Sequence, residues 1–88
     1  MRVHFTDHGW EDYLHWASNE ADTLKRVNEI IQDIRRSPFQ GIGKPEPLKG
    51  PLQGYWSRRI TKEHRLVYGV AGAGNDQRVV VLQCRYHY

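Results

Sequence analysis

The sequence predicts an α+β domain in which two N-terminal helices cover one face of a twisted, mostly antiparallel sheet of four to five strands. Two patterns support this prediction: apolar residues recur every three or four positions before residue 36, and they alternate with polar residues after residue 54. Because the helices precede the strands and the connections are short, we expect α+β rather than βαβ units. A chain of 88 residues leaves room for a single domain, 1–88.

The helical pattern begins after a short apolar run at residues 3–5, which indicates a first strand. One apolar stripe predicts a helix from about Asp7 to Ser18, with Thr6 or Asp7 as its N-cap. This stripe contains Trp10, Tyr13, Leu14 and Ala17. A second stripe predicts the partner helix of an antiparallel hairpin and contains Leu24, Val27, Ile30, Ile31 and Ile34. Pro38 ends that helix because proline disfavours helical backbone in the residue before it.

A glycine- and proline-rich loop at residues 41–51 separates the helices from three strand-like segments, near residues 55–60, 64–71 and 78–88. In the second segment, Leu66, Tyr68 and Val70 share one face. In the third, alternation places one set of side chains on one face: Leu82, Cys84, Tyr86 and Tyr88. It places the other set opposite: Gln83, Arg85 and His87. We expect the helices to leave the charged face of the sheet open.

The composition excludes several classes of protein. Apolar runs are too short for a membrane span, charge interrupts the N-terminus before a signal-peptide core, and Cys84 has no disulfide partner. These features predict a cytoplasmic protein with no membrane association and a buried, unreactive Cys84. Gly43 lacks the upstream glycine of a P-loop, and the histidines and cysteine lack metal-ligand spacing, so no cofactor and no metal are expected.

Basic residues concentrate in the C-terminal half and acidic residues in the N-terminal half, at a formal net charge of +3. That balance alone favours nucleic acid only weakly. Strand parity, however, predicts that Arg59, Arg65 and Arg85 converge on the open face. The neighbouring aromatic residues are Tyr55, Trp56, Tyr86 and Tyr88. Rings among arginines suit single-stranded RNA, although some of these rings must fill the core. We expect Trp10, Tyr13 and Trp16 to pack in the core or between the helices.

Cleavage of RNA by its own 2′-hydroxyl requires a base, an acid and a fixed cation, and it requires no metal. Glu46, His87 and the arginines supply these chemical types. Pro45 and Pro47 stiffen the backbone on both sides of Glu46. Spacing alone favours a solvated loop residue for Glu46 and an ordinary surface histidine for His87, and it leaves the catalytic interpretation open.

Five segments, in order, resemble toxins of the YoeB family within the RelE-like superfamily. They are RRSPF at 35–39, GIGKPEPL at 41–48, GYWSRRI at 54–60, EHRLVY at 63–68 and CRYHY at 84–88. The resemblance covers essentially the whole chain. It implies a RelE-like microbial-ribonuclease fold and metal-independent cleavage of messenger RNA in the ribosomal A site, which inhibits translation.

The same resemblance assigns roles residue by residue. It implies that Glu46 is the general base, that His87 is the general acid and that Arg65 stabilises the scissile phosphate. It implies supporting, substrate-binding roles for Lys49, Arg59 and Tyr88, and none for Arg85. The implied partners are the ribosome, messenger RNA and a YefM-type antitoxin, with operator DNA bound only through the toxin–antitoxin complex. Homodimers are also compatible with the family.

Two alternatives stay open at this level. A non-catalytic toxin with the RelE/ParE fold would bind a target such as DNA gyrase, or RNA, without cutting it, and it would not need both Glu46 and His87. A structural subunit of a larger assembly would leave the cations around Glu46 without a purpose. The sequence does not specify codon preference, the identity of the antitoxin or the stoichiometry of the complex.

Overall fold

The computed structural model describes residues 1–87 and shows two helices on one face of a five-stranded mixed sheet. The helices are α1 (Asp7–Asn19) and α2 (Ala21–Arg36). The strands are β1 (Arg2–Phe5), β2 (Glu46–Pro47), β3 (Trp56–Arg59), β4 (Arg65–Ala71) and β5 (Arg78–Gln83). Their order is β1-β5-β4-β3-β2, with β1 parallel to β5 and the other pairs antiparallel. The predicted α+β class is confirmed.

The start of α1 and the end of α2 agree with the signals that the sequence contains for them. The Thr6 hydroxyl accepts a hydrogen bond from the Gly9 amide at 3.0 Å and so serves as the N-cap of α1. Helix α2 ends at Arg36, two residues before Pro38. Glu20 alone connects the helices, and the Tyr13 hydroxyl donates to Asn28 Oδ1 at 2.8 Å across the hairpin. Within residues 1–87, neither helix is long and apolar enough to cross a bilayer.

The core lies between the helices and one face of the sheet. Its fully buried members include Val27, Ile30, Ile34, Leu66, Tyr68, Val79 and Val81. Trp16 joins this core, as predicted, with 2% of its surface exposed. Trp10 does not, because 46% of its surface is exposed. It stacks on Tyr13 and meets the edge of Phe5 at the rim of the helix pair.

The alternation predicted for residues 82–88 is wrong beyond Val81. The register passes from Tyr68–Val81 to Val67–Gln83, so Leu82 is an extra residue, a β-bulge on β5. Leu82 therefore lines the open face with Val80, whereas Cys84 is buried beneath α1. Strand β5 ends at Gln83, and Tyr86 has a positive φ of 64° and 58% exposure.

The segment predicted as a loop contains a short edge strand. Glu46 pairs with Ser57 and Pro47 pairs with Trp56, which makes β2 the last strand of the sheet. Proline is tolerated there because an edge strand can dispense with one N–H donor. The pairing continues at Leu48, whose amide donates to the Tyr55 carbonyl at 2.9 Å. Glu46 is thus held by the sheet as well as by its flanking prolines.

Candidate active site

Glu46 lies at one end of a row that crosses four strands on the open face. Glu46 pairs with Ser57, Ser57 with Val67, and Val67 with Gln83. Directly opposed residues of antiparallel strands share a face, so all four side chains belong to the same surface. Adjacent strands are about 4.8 Å apart, which places the two ends of the row roughly 14 Å apart. The two middle residues of the row, Ser57 and Val67, are buried, whereas Glu46 at its end is exposed.

The other end of this row contacts the C-terminal tail. Gln83 Nε2 donates a 3.4 Å hydrogen bond to the backbone carbonyl of His87. His87 is exposed and follows the end of β5, so it is not the strand residue that alternation predicts. The sheet nevertheless brings Glu46 and the tail that carries His87 to opposite ends of one row.

Two cations lie beside this row. Arg59 and Arg65 are directly opposite each other on β3 and β4, on the face that also carries Ser57 and Val67, as strand parity predicts. Arg65 is anchored through Nη1, which donates to the carbonyls of Thr61, Lys62 and His64 at 2.9–3.2 Å. The Arg59 side chain is exposed. Arg59 and Arg65 thus bring two positive charges to one face of the sheet, and such charges suit the binding of phosphate oxygens.

Lys49 and Arg85 do not belong to the paired strands that carry Arg59 and Arg65. Lys49 is exposed just beyond β2, at the start of a 3₁₀ turn (Gly50–Leu52). Arg85 does not converge with Arg59 and Arg65 through strand pairing, because it follows the end of β5 and its guanidinium lies over the Tyr86 ring at 4.6 Å. Tyr88 lies outside the described residues.

An apolar groove on the open face lies next to the row. Gly69 and Val80 form its floor as a cross-strand pair, and Leu82 and Tyr55 border it. The Tyr55 ring lies so close above Gly69 that a Cβ there would approach it to 2.8 Å. Tyr55 therefore presents a ring on the open face, as stacking requires, while Trp56 packs against Phe39 on the other side.

The connection from α2 to β2 is organised by a buried charge. Arg58 has no solvent exposure, and its five N–H groups make five hydrogen bonds. Nη1 donates to Asp33 Oδ2 and the Ile42 carbonyl, and Nη2 donates to the Ser37 and Gln40 carbonyls. The backbone leading to Glu46 is thereby tied to the sheet.

The other contacts of Arg58 perturb two ionisable groups. The hydrogen bond from Arg58 holds the pKa of the Asp33 carboxyl below its ordinary value of 3.8. Nε of Arg58 donates to the Tyr68 hydroxyl at 3.3 Å, and burial raises the pKa of Tyr68 above 10.0. The same hydroxyl donates to the Pro38 carbonyl at 2.5 Å, which adds a further tie to the connection.

The tail is held by a second group of side chains. Asp12 Oδ2 accepts from the Cys84 amide at 3.0 Å, and Trp16 Nε1 donates to the Cys84 carbonyl at 2.8 Å. His64 Nδ1 accepts from the Tyr86 amide at 2.7 Å. Burial raises the pKa of the Cys84 thiol to about 12, so the cysteine is structural, as predicted.

Sequence reasoning missed Arg58, Asp33 and His64. Strand parity contains a signal for Arg58, because Trp56, Arg58 and Ile60 alternate toward the core. No sequence signal identifies His64, since its role depends on a tail that approaches it from 22 residues away. Within residues 1–87, no cluster of three histidine, cysteine, aspartate or glutamate side chains could hold a metal ion.

The fold defines a class of small bacterial toxins. A structure described as a YoeB/ParE toxin from Agrobacterium tumefaciens superposes with a TM-score of 0.97, at 51% identity and full coverage of both chains. YafQ from Escherichia coli matches with a TM-score of 0.77 at 13% identity, over 99% of this chain and 94% of that one, which shows a shared RelE-like fold.

Sequence comparison specifies the family. The model of the YoeB-like toxin of bacterial type II toxin–antitoxin systems matches residues 5–88, so the chain belongs to that family. Toxin YoeB of Streptomyces coelicolor is 58% identical over the full length of both chains. Two Staphylococcus aureus structures, a YoeB–YefM heterotetramer and a YoeB dimer, align over all of this chain and 98% of theirs, with TM-scores of 0.88 and 0.87 and identities of 42% and 40%.

Proposed function

We propose that this toxin is a ribosome-dependent endoribonuclease that cuts messenger RNA in the A site by metal-independent acid–base chemistry. One observation carries the proposal: Glu46, the Arg59–Arg65 pair and the tail bearing His87 lie on or beside a single row of the open face. Binding RNA would require the cations alone. Cleavage requires in addition a proton acceptor and a proton donor, and the carboxylate of Glu46 and the imidazole of His87 supply these two chemical types.

The proposed reaction is an in-line attack by the substrate's own 2′-oxygen. Glu46 takes the 2′-hydroxyl proton as the oxygen forms a bond to phosphorus. Arg65, supported by Arg59 and Lys49, stabilises the charge that develops on the phosphoryl oxygens. His87 then donates a proton to the departing 5′-oxygen as its bond to phosphorus breaks. The products are a 2′,3′-cyclic phosphate and a 5′-hydroxyl. The supporting role of Tyr88 remains a prediction.

The rigidity of the Glu46 backbone supports its assignment as the base. Glu46 is exposed, so substrate can reach its carboxylate. Its backbone is fixed by pairing with Ser57 and by the stiff prolines on either side. Because the backbone is already fixed, only the side-chain torsions of Glu46 must be ordered when its carboxylate engages the 2′-hydroxyl, which favours a near-attack geometry.

The relatives support a set of partners. We propose that a YefM-type antitoxin neutralises this toxin, because a YoeB–YefM heterotetramer has been solved for the S. aureus relative. We also propose a homodimer, because the S. aureus relative has been solved as a YoeB dimer. The ribosome and messenger RNA follow from the proposed chemistry, and they imply action in the cytoplasm. Operator DNA would be bound only through the toxin–antitoxin complex.

The test is RNA-end mapping on ribosomes programmed with a defined message. Wild-type protein should cut within the A-site codon in the presence of EDTA and leave cyclic phosphate ends. Glu46→Gln and His87→Gln should each lower the rate at least about 100-fold, as expected for a lost acid or base. Glu29→Gln, at an exposed helix position, and His4→Gln, at an exposed position of the edge strand β1, are the matched controls and should cut at the wild-type rate.

A binding toxin is the second candidate, since the A. tumefaciens structure is described with both names, YoeB and ParE. The same assay separates the two activities. Messages left whole by well-folded protein, together with trapped gyrase–DNA complexes, would favour the binding toxin. Breaks that persist undiminished in both Glu46→Gln and His87→Gln would reject the assigned acid and base.

A further inference from the structure

The C-terminal tail is attached to the body through backbone groups of Cys84, Tyr86 and His87, the last through the 3.4 Å hydrogen bond from Gln83. The Cys84 amide donates to Asp12, and the Cys84 carbonyl accepts from Trp16, both of which belong to α1. The Tyr86 amide donates to His64, and the Tyr86 carbonyl accepts from the Arg65 amide at 3.0 Å. The second pair of bonds lies directly before His87, so it determines the direction in which the chain reaches that residue.

The backbone at Tyr86 requires such a restraint. Its φ of 64° lies in the left-handed region, which a bulky aromatic residue rarely adopts. A conformation of this kind costs of order 1–3 kcal/mol and persists only where surrounding contacts hold it. The Tyr86 ring is 58% exposed, so burial of the ring does not supply the restraint. The restraint comes from the backbone hydrogen bonds to His64 and Arg65.

His64 is itself fixed in place. Its ring meets the edge of Trp16 at 4.8 Å between centroids and the Tyr86 ring at 5.5 Å. Its carbonyl accepts from the amides of Ile60 and Thr61, which closes the turn between β3 and β4. Since Nδ1 accepts the Tyr86 N–H, the ring proton must be on Nε2. The imidazole is therefore a rigid acceptor rather than a mobile surface group.

We propose that His64 is a positioning residue that directs the tail, and with it His87, by accepting the Tyr86 amide at Nδ1. This inference rests on the proposed function, in which His87 protonates the leaving oxygen. His64 touches neither substrate nor the reacting atoms in that scheme; it acts through the tail. Because His64 precedes Arg65, a single turn orients both the phosphate-stabilising cation and the proposed acid.

Two substitutions separate the acceptor from the rest of the ring. In His64→Asn, the side-chain Oδ1 occupies nearly the position of Nδ1 and can still accept the Tyr86 amide. In His64→Gln, the carboxamide reaches the position of Nε2 instead, and the δ position carries no acceptor. His15→Gln is the matched control, because His15 meets the same Trp16 ring at 4.9 Å but bonds to Asn19 within its own helix.

The first readout is the order of the tail, measured by ¹⁵N relaxation on the full-length labelled toxin. The amides of Tyr86 and His87 should be ordered in wild type, His64→Asn and His15→Gln, and mobile in His64→Gln. The dispersion of the remaining amide signals shows that each variant is folded. An ordered tail in His64→Gln would overturn the inference and leave the proposed function intact.

The second readout is single-turnover cleavage on programmed ribosomes. His64→Gln should lower the rate constant at least about tenfold, because misplacing a proton donor by an ångström can cost more than that. The half-saturating toxin concentration should stay within twofold, and His64→Asn should recover the rate to within threefold of wild type. A released tail with an unchanged rate would also overturn the inference. A wild-type protein that has an ordered tail but leaves RNA whole would instead reject the proposed function.

Discussion

Arg58 and Asp33 form an ion pair with the guanidinium fully buried and the carboxylate at the edge of the core, 17% exposed. Asp33 belongs to α2 and Arg58 to β3, so the pair joins the helical layer to the sheet. Asp33 Oδ2 also accepts from the Ile42 amide at 3.0 Å. The pair thus holds both the sheet and the connection that leads to Glu46.

Removal of the Arg58 charge should destabilise the fold strongly. Arg58→Met keeps an unbranched apolar stem but removes the Arg58 donors from the Asp33 carboxylate, the Tyr68 hydroxyl and three backbone carbonyls. We expect a loss of at least about 3 kcal/mol in the free energy of unfolding, measured with urea. Arg36→Met is the control, since Arg36 contacts Asp33 at 3.6 Å from a side chain that is 76% exposed. It should cost less than about 1 kcal/mol.

The same ion pair predicts an acid-sensitive stability. Because the Arg58 hydrogen bond holds the folded pKa of Asp33 below 3.8, the carboxylate contributes stability above the unfolded pKa. That contribution is lost as pH falls through the folded pKa. Wild type should therefore exceed Asp33→Asn in free energy of unfolding at pH 7, and the difference should shrink below about pH 4. A difference that stays constant down to pH 2 would contradict this assignment.

Gly9 should resist even the smallest side chain. It lies in α1, where alanine is favoured over glycine by about 1 kcal/mol. A Cβ at this position would, however, meet the Val81 carbonyl oxygen of β5 at 2.4 Å. We expect Gly9→Ala to lower the free energy of unfolding by about 2 kcal/mol, since overpacking against backbone outweighs propensity. Ser18→Ala, at an exposed position of the same helix, should change it by less than about 0.5 kcal/mol.

Helices and most strands could be predicted because their signals are local. The stripe from Val27 to Ile34 defines the buried face of α2 without reference to any other element. The register of β5 could not be predicted beyond Val81, because the bulge at Leu82 depends on how Val67 and Tyr68 pair with it. One inserted residue reverses the facing of every later side chain.

In the candidate site, too, local patterns predicted some residues, whereas others depend on tertiary contacts. Arg59 and Arg65 could be paired from strand parity, since both belong to strands with clear alternation. The environment of Arg58 could not be predicted, because its acceptors come from α2 and from the segment between α2 and β2. Strand parity indicates only that Arg58 faces the core, whereas arginine on a strand is usually a surface residue and the partners that permit its burial come from tertiary contacts.

Cys84 should be inert until the protein unfolds. The side chain has no exposed surface, and its thiol pKa of about 12 leaves almost no thiolate at pH 8. A disulfide reagent such as DTNB should label the native protein only at the rate of unfolding, and label it at once in urea. A Cys84→Ala/Ser18→Cys variant supplies an exposed thiol and should react fully without denaturant. Rapid labelling of native wild type would show that the tail opens without global unfolding.

Arg59 should contribute a phosphate contact that can be measured apart from cleavage. In a Glu46→Gln background, binding of a short fluorescent single-stranded RNA is followed by anisotropy over a range of salt concentrations. Each phosphate contact to single-stranded nucleic acid adds about 0.7 to the slope of log affinity against log salt. Arg59→Gln should reduce the slope by about that amount and weaken binding roughly fivefold at 0.1 M salt. Arg2→Gln is the control, because Arg2 lies on β1 at the opposite edge of the sheet and bonds to Asp76 at 3.0 Å. Equal slopes for the two variants would place the bound phosphates away from the Arg59–Arg65 pair.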